Sequence, residues 1–130
     1  MKRLKLIGAV TIILSVATML CLIKVMRAQE AASKTITVTI TPNPTGPPTV
    51  DPESVDVYKD QNEQVEWKCD DQHPNCDFTV TFPTSHAKPF NDSTFSKAHP
   101  NSGVPTGPPG KYPYNVKVGH GSTDPQIIVH

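Results

Sequence analysis

Arginine and methionine are missing from the sequence after residue 27, and only two of the three cysteines lie beyond that point. From residue 28 onward, seven lysines stand against twelve acidic residues, which gives this part of the chain a net charge of −5. Proteins that bind nucleic acids neutralise phosphates with clustered Lys and Arg. The composition therefore disfavours a nucleic-acid partner.

The first 27 residues differ from the rest because they contain five basic residues and no acidic one. Lys2, Arg3 and Lys5 precede an uncharged apolar run over residues 6–23. As a helix this run would be roughly 27 Å long, just short of a bilayer core. Residues 1–27 are therefore predicted to be an export segment, either a cleaved signal peptide or a signal-anchor transmembrane helix.

The two alternatives for the export segment lead to similar locations. The positive-inside rule keeps the basic start in the cytoplasm and sends the C-terminal part outside. If the segment is retained, the protein is anchored in the membrane by its N-terminal helix. If it is cleaved, the protein is secreted or periplasmic. Residues 28–34 are interpreted as a short tether between this segment and a domain over residues 35–130.

The domain is predicted to be all-β. All fourteen prolines follow residue 41, which argues against long helices. Instead, apolar and polar residues alternate with a period of two in several short runs, which is typical of strands with one buried face. Six or more such strands predict a β-sandwich with one core. The expected inward residues include Ile36, Val38, Ile40, Val55, Val57, Val65, Trp67, Cys69, Phe78, Val80, Phe82, Tyr112, Tyr114, Val116, Ile127 and Val129.

One short sequence occurs twice. Pro-Thr-Gly-Pro-Pro is found at residues 44–48 and again at residues 105–109, in both cases between predicted strands. Two interpretations are open: the copies are similar turns that arose independently, or they form a paired functional rim.

The order of the strands resembles that of cupredoxins, the Greek-key β-sandwiches of blue-copper proteins. The resemblance covers roughly residues 50–130. It is carried by an early hairpin over residues 52–67, a central strand over residues 78–82, the run Gly110-Lys111-Tyr112-Pro113-Tyr114 and a closing strand over residues 124–129. It implies a cupredoxin-like Greek-key β-sandwich of the type found in exported bacterial proteins.

The residues at the positions of the copper ligands do not fit a blue-copper centre. Such a centre needs a thiolate, two imidazoles and usually a weak axial thioether. The resemblance places the cysteine at Val116 and the following histidine at Gly119, with His120 one residue away. Because the domain also lacks methionine, Val116 and Gly119 are interpreted as vacated ligand positions, and no cofactor is expected.

The two cysteines of the domain, Cys69 and Cys76, have three interpretations. In an oxidising compartment, an even pair is most simply a disulfide. The alternatives are a metal site that adds His73 in the spacing C-x3-H-x2-C, which offers only three ligands, and free thiols. No arrangement of residues in the sequence suggests catalysis, so an enzyme is not expected.

The sequence therefore predicts a non-catalytic, extracytoplasmic binding or structural module of the cell envelope without a type-1 copper site. Its partner would be an envelope protein that the sequence does not identify. The alternative is a copper- or metal-handling envelope protein with an atypical site built on histidines such as His73 and His120.

Overall fold

Ten short β-strands make up the regular structure of residues 32–130, the part of the chain that the computed structural model describes. The only helix in these residues is a 3-10 turn at Lys59–Gln61, and none there is long and apolar enough to cross a membrane. The all-β prediction is confirmed. The helix predicted within residues 1–27 lies outside the described residues. The strands are β1 (Thr35–Thr41), β2 (Thr49–Asp51), β3 (Ser54–Val57), β4 (Gln64–Cys69), β5 (Phe78–Thr81), β6 (Thr94–Ser96), β7 (Gly110–Pro113), β8 (Asn115–Val118), β9 (Gly121–Thr123) and β10 (Gln126–Val129).

The first layer is a sheet in the order β2-β1-β4. β1 pairs antiparallel with β2 and parallel with β4, with Thr35 opposite Gln64 and Ile40 opposite Cys69. The free edge of β4 is covered by residues 100–102. There the Trp67 N–H donates to the carbonyl of residue 100 at 3.0 Å, and the Ser102 N–H donates to Val65 O at 2.8 Å. The long connection after β5 thus protects an edge of the sheet.

The second layer is formed by two groups of strands, β3-β10-β7 and β6-β5-β8-β9. They are continuous because only Tyr114 separates β7 from β8, and the Tyr114 N–H donates to Pro125 O at 2.9 Å. The alternation over residues 111–118 had predicted a single strand here. Pro113 has no N–H to donate to a ladder, and after Tyr114 the chain exchanges β10 for β5 and β9 as partners. With the first layer, this makes a β-sandwich.

The core lies between the layers and is centred on Trp67, which is fully buried. Its indole is surrounded by four aromatic rings, with ring centroids 4.9–6.3 Å away. The indole N–H donates to the Tyr114 hydroxyl at 3.3 Å, so the one polar atom of the indole has a partner. The alternation predicted for β4 is confirmed, since Val65 and Cys69 are also buried. The four rings are those of Phe82, Phe90, Phe95 and Tyr114.

Candidate functional site

A groove of about 810 Å³ opens at one end of the sandwich. Three connections line it: residues 42–47 between β1 and β2, His73 between β4 and β5, and residues 118–122 at the β8–β9 hairpin. We call this surface the loop groove. It brings together segments that are far apart in the sequence.

The first wall of the loop groove is the β1–β2 connection, which is stiffened by Pro42, Pro44 and Pro47. Proline fixes φ and restricts the residue before it, so this wall has few alternative backbone conformations. Asn43 adds a local turn, because its Oδ1 accepts hydrogen bonds from the backbone N–H and the hydroxyl of Thr45, both at 3.1 Å. The wall is therefore formed before any ligand arrives.

The second wall is the β8–β9 hairpin, and it packs against the first through glycine. Gly119 has φ of +57°, a left-handed conformation that favours glycine at this turn. At Gly121, a β-carbon would lie 2.6 Å from Gly46 O, so only glycine allows the two walls to approach this closely. Gly46 belongs to the first copy of the repeated Pro-Thr-Gly-Pro-Pro sequence.

The second copy of the repeat has a different environment. The backbone N–H groups of Thr106 and Gly107 both donate to Pro89 O, at 2.9 and 3.0 Å. A β-carbon on Gly107 would lie 2.4 Å from Lys88 O. Only the first copy lines the loop groove. The two copies therefore serve as separate turns and do not form a paired rim.

The third side of the loop groove is His73, held on a short cross-linked loop. Cys69 and Cys76 form a disulfide, as predicted, with their Cα atoms 6.0 Å apart. Within the loop, Asp70 Oδ1 accepts a hydrogen bond from the His73 backbone N–H at 2.8 Å. The same oxygen lies 2.8 Å from His73 Nδ1. Burial alone would raise the pKa of Asp70, but the hydrogen bonds from His73 and Thr41 outweigh it and lower that pKa. Asp70 thus stays ionised and orients the His73 ring.

The structure separates the residues that the cupredoxin resemblance connects with copper. Gly119 and His120 line the loop groove together with His73. Val116 lies in the core with no solvent exposure, opposite Val80 on β5. Within residues 32–130, no three His, Cys, Asp or Glu side chains come close enough together to hold a metal ion. The loop groove therefore offers two imidazoles and rigid apolar walls, which suit binding.

Two features of the structure were missed by the sequence reasoning. The first is the proline wall, our name for residues 42–47. The sequence showed a repeat there but not a binding surface, because the position of this wall beside residues 118–122 depends on long-range strand pairing. Glu63 was not assigned a role, yet its side chain is buried. A signal for Glu63 exists: it precedes Val65, Trp67 and Cys69 in the same period-two alternation, which would place it on the inward face.

Comparison of the chain with protein-family models and with curated proteins finds no match. The resemblance to cupredoxins therefore rests on the residues and strand order of this chain.

Proposed function

We propose that residues 33–130 form a cupredoxin-like Greek-key sandwich that has no type-1 copper centre. The strand pairings support this. Two parallel pairs, β1 with β4 and β3 with β10, occur among antiparallel neighbours. The chain also passes from the first layer to the second between β2 and β3. Such crossings between packed sheets are expected of a Greek-key sandwich.

The packing around Val116 supports the absence of the copper centre. The side chain is fully buried against the opposite strand, at the position where the resemblance places the thiolate. The only sulfur atoms of the domain, those of Cys69 and Cys76, are joined in the disulfide. Adding Cu(II) to the protein should therefore give no intense blue colour, because that colour requires a thiolate ligand. A strong visible band would contradict the proposal.

The protein acts, in this proposal, as a non-catalytic binding module of the cell envelope, held outside the cytoplasm by residues 1–27 or released there after cleavage. The observation that carries the proposal is the loop groove. Its walls are preformed by prolines and a disulfide, which lowers the entropy cost of binding. It also lies at the far end of β1 from Lys34, where the domain begins. A protein partner in the envelope can therefore bind it without contacting Lys34.

The binding proposal is tested by affinity capture from envelope extract with the full chain in mild detergent. Ser122→Arg places a long charged side chain in the loop groove and should abolish capture of the partner. Thr94→Arg is the matched control, since it adds the same side chain at an exposed position on β6 that does not line the groove. A partner that binds the wild type and both variants equally would show that the loop groove is not the binding surface.

The alternative function, handling of copper or another metal, is favoured by one observation: His73 and His120 line the same groove. Imidazole is a good ligand for zinc and copper. If this alternative holds, the purified protein retains about one equivalent of zinc or copper after dialysis. The variants His73→Ala and His120→Ala would each lose it, whereas His99→Ala, outside the groove, would not.

A further inference from the structure

Glu63 is the only acidic residue with a buried side chain among residues 32–130, with 2% of its surface exposed. Burying a carboxylate is unfavourable unless it is paired and hydrogen-bonded. Glu63 follows the 3-10 turn and directly precedes β4. Its surroundings should therefore contain the groups that stabilise its charge.

Both carboxylate oxygens of Glu63 have a partner. Oε1 accepts a hydrogen bond from Lys34 Nζ at 2.7 Å, and Oε2 accepts one from the Tyr58 backbone N–H at 3.0 Å. Lys34 stands immediately before β1, 29 residues from Glu63, and 69% of its side chain is exposed. One buried carboxylate thus ties the first residues of the domain to the turn that precedes β4.

Two further bonds join the same segments. The Ser33 hydroxyl donates to Asn62 O at 2.9 Å, and the Gln64 N–H donates to Lys34 O at 2.9 Å. On the N-terminal side of the contact, these two bonds involve only residues 33 and 34. Of the three contacts, only the Glu63–Lys34 pair joins opposite charges, so it is the one that depends on pH.

The remaining charged groups near Glu63 do not bond to its carboxylate. Lys59 and Asp60 belong to the exposed 3-10 turn. On the other side of Tyr58, the ring of His130 stacks on the phenol at 4.6 Å, and His130 Nε2 lies 2.7 Å from Asp56 Oδ1. Protonation of Glu63 therefore acts mainly on Lys34 and on the Tyr58 amide.

We propose that Glu63 and Lys34 form a pH-sensitive clasp, which fixes residues 33 and 34 to the domain at neutral pH and releases them in acid. Ionised Glu63 holds both partners. Neutral Glu63 loses its attraction for the ammonium group of Lys34. Released, the two residues amount to roughly 7 Å of extended chain that is no longer fixed to the domain. The clasp does not depend on what the loop groove binds.

The pH range of the clasp follows from the environment of Glu63. The hydrogen bond from Lys34 lowers the pKa of Glu63 most, and the bond from the Tyr58 N–H lowers it further, while burial opposes both. The net effect is a pKa below the usual value of 4.5. A carboxyl whose pKa is lower in the folded state stabilises it above the unfolded pKa, and this stabilisation is lost as the pH falls through the folded pKa. The clasp is therefore closed at neutral pH and opens as the pH falls through this lowered pKa of Glu63.

Hydrogen exchange measured by mass spectrometry on the full chain in mild detergent tests the clasp. The reporters are the amides of Tyr58 and Gln64, whose N–H groups bond across the contact. Glu63→Gln imitates the protonated carboxyl at pH 7. In this variant the protection of the two amides should fall about tenfold, as expected for losing a charged hydrogen bond. Glu53→Gln is the matched control, because it neutralises an exposed carboxylate. In Glu53→Gln, the protection of the two amides should equal that in the wild type.

The pH dependence gives a second readout. Between pH 7 and pH 3, protection of the two amides should fall in the wild type after correction for intrinsic exchange, but change little in Glu63→Gln. Lys34→Met removes the exposed partner, cannot disturb the core, and should lower protection at pH 7 even if Glu63→Gln fails to fold. The proposal is overturned if Lys34→Met keeps wild-type protection at pH 7, or if Glu53→Gln loses protection to the same extent as Glu63→Gln.

Discussion

Replacing Trp67 with Ala should remove most of the stability of the domain. The indole is fully buried among four aromatic rings. Truncating a buried Trp or Phe to Ala costs about 3–5 kcal/mol. The substitution also removes the indole N–H that donates a hydrogen bond to the buried Tyr114 hydroxyl, which adds about 1–3 kcal/mol to the loss of stability. Because total stabilities of small proteins lie at about 5–15 kcal/mol, the variant should be marginally folded.

Urea denaturation followed by far-ultraviolet circular dichroism measures this loss. Fluorescence is unsuitable because Trp67 is the only tryptophan in the chain. With a urea m-value of roughly 1–2 kcal/mol/M, a loss of at least about 4 kcal/mol lowers the midpoint by about 2 M or more. A midpoint that hardly moves would refute the reasoning, since it would mean that the indole is not packed in the core.

Trp67→Phe separates the two contributions. It keeps an aromatic ring but removes the N–H, so we expect a loss smaller than that of the Ala variant. Combining it with Tyr114→Phe removes the hydroxyl as well, and a pair of apolar groups is less costly than one unpartnered polar group. The double variant should therefore be less destabilised than the sum of the single variants predicts.

Three further predictions concern single features of the structure. Burial raises the pKa of Tyr114 to about 12, so its phenol should ionise about two pH units later than a free tyrosine in a spectrophotometric titration, and stability should fall by about 2–3 kcal/mol as the pH rises from 10 to 12. Gly121→Ala should lower the melting temperature and displace the β1–β2 connection, whereas Gly46→Ala, whose β-carbon meets only the Asn43 side chain at 3.1 Å, should have a smaller effect. The double Ser variant of Cys69 and Cys76 should still fold, with a free energy of unfolding about 1–3 kcal/mol lower; finding both thiols free to alkylation in the wild-type protein purified without reductant would contradict the disulfide.

The inward residues of the strands could be predicted because alternation depends only on local sequence. The same property hid the change of hydrogen-bonding partners at Tyr114. Tyr112, Tyr114 and Val116 keep alternating while the backbone changes its hydrogen-bonding partners, so the pattern looks like one strand. Nothing in the alternation encodes which strand is the neighbour.

Glu63 shows a different limit. Its alternation with Val65 and Trp67 indicates the inward face, whereas its charge indicates the outward face. The conflict is settled by Lys34, which is 29 residues away in sequence and reaches Glu63 only because β1 pairs in parallel with β4. The loop groove is similar: His73 and His120 could be selected as candidates, but their shared position depends on how two separate connections, β4–β5 and β8–β9, are brought together.

The parallel pairing of β1 with β4 has a mechanical consequence. β1 begins beside the clasp and ends at the proline wall, about 23 Å away at ~3.3 Å per residue. A force applied between Lys34 and a partner that holds His73, on the loop after β4, would therefore pass from β1 to β4. The ladder bonds between these two strands cross the direction of pull and are loaded together, in shear, so they cannot break one after another. The strand that separates the two ends of the domain is thus arranged to bear tension between them.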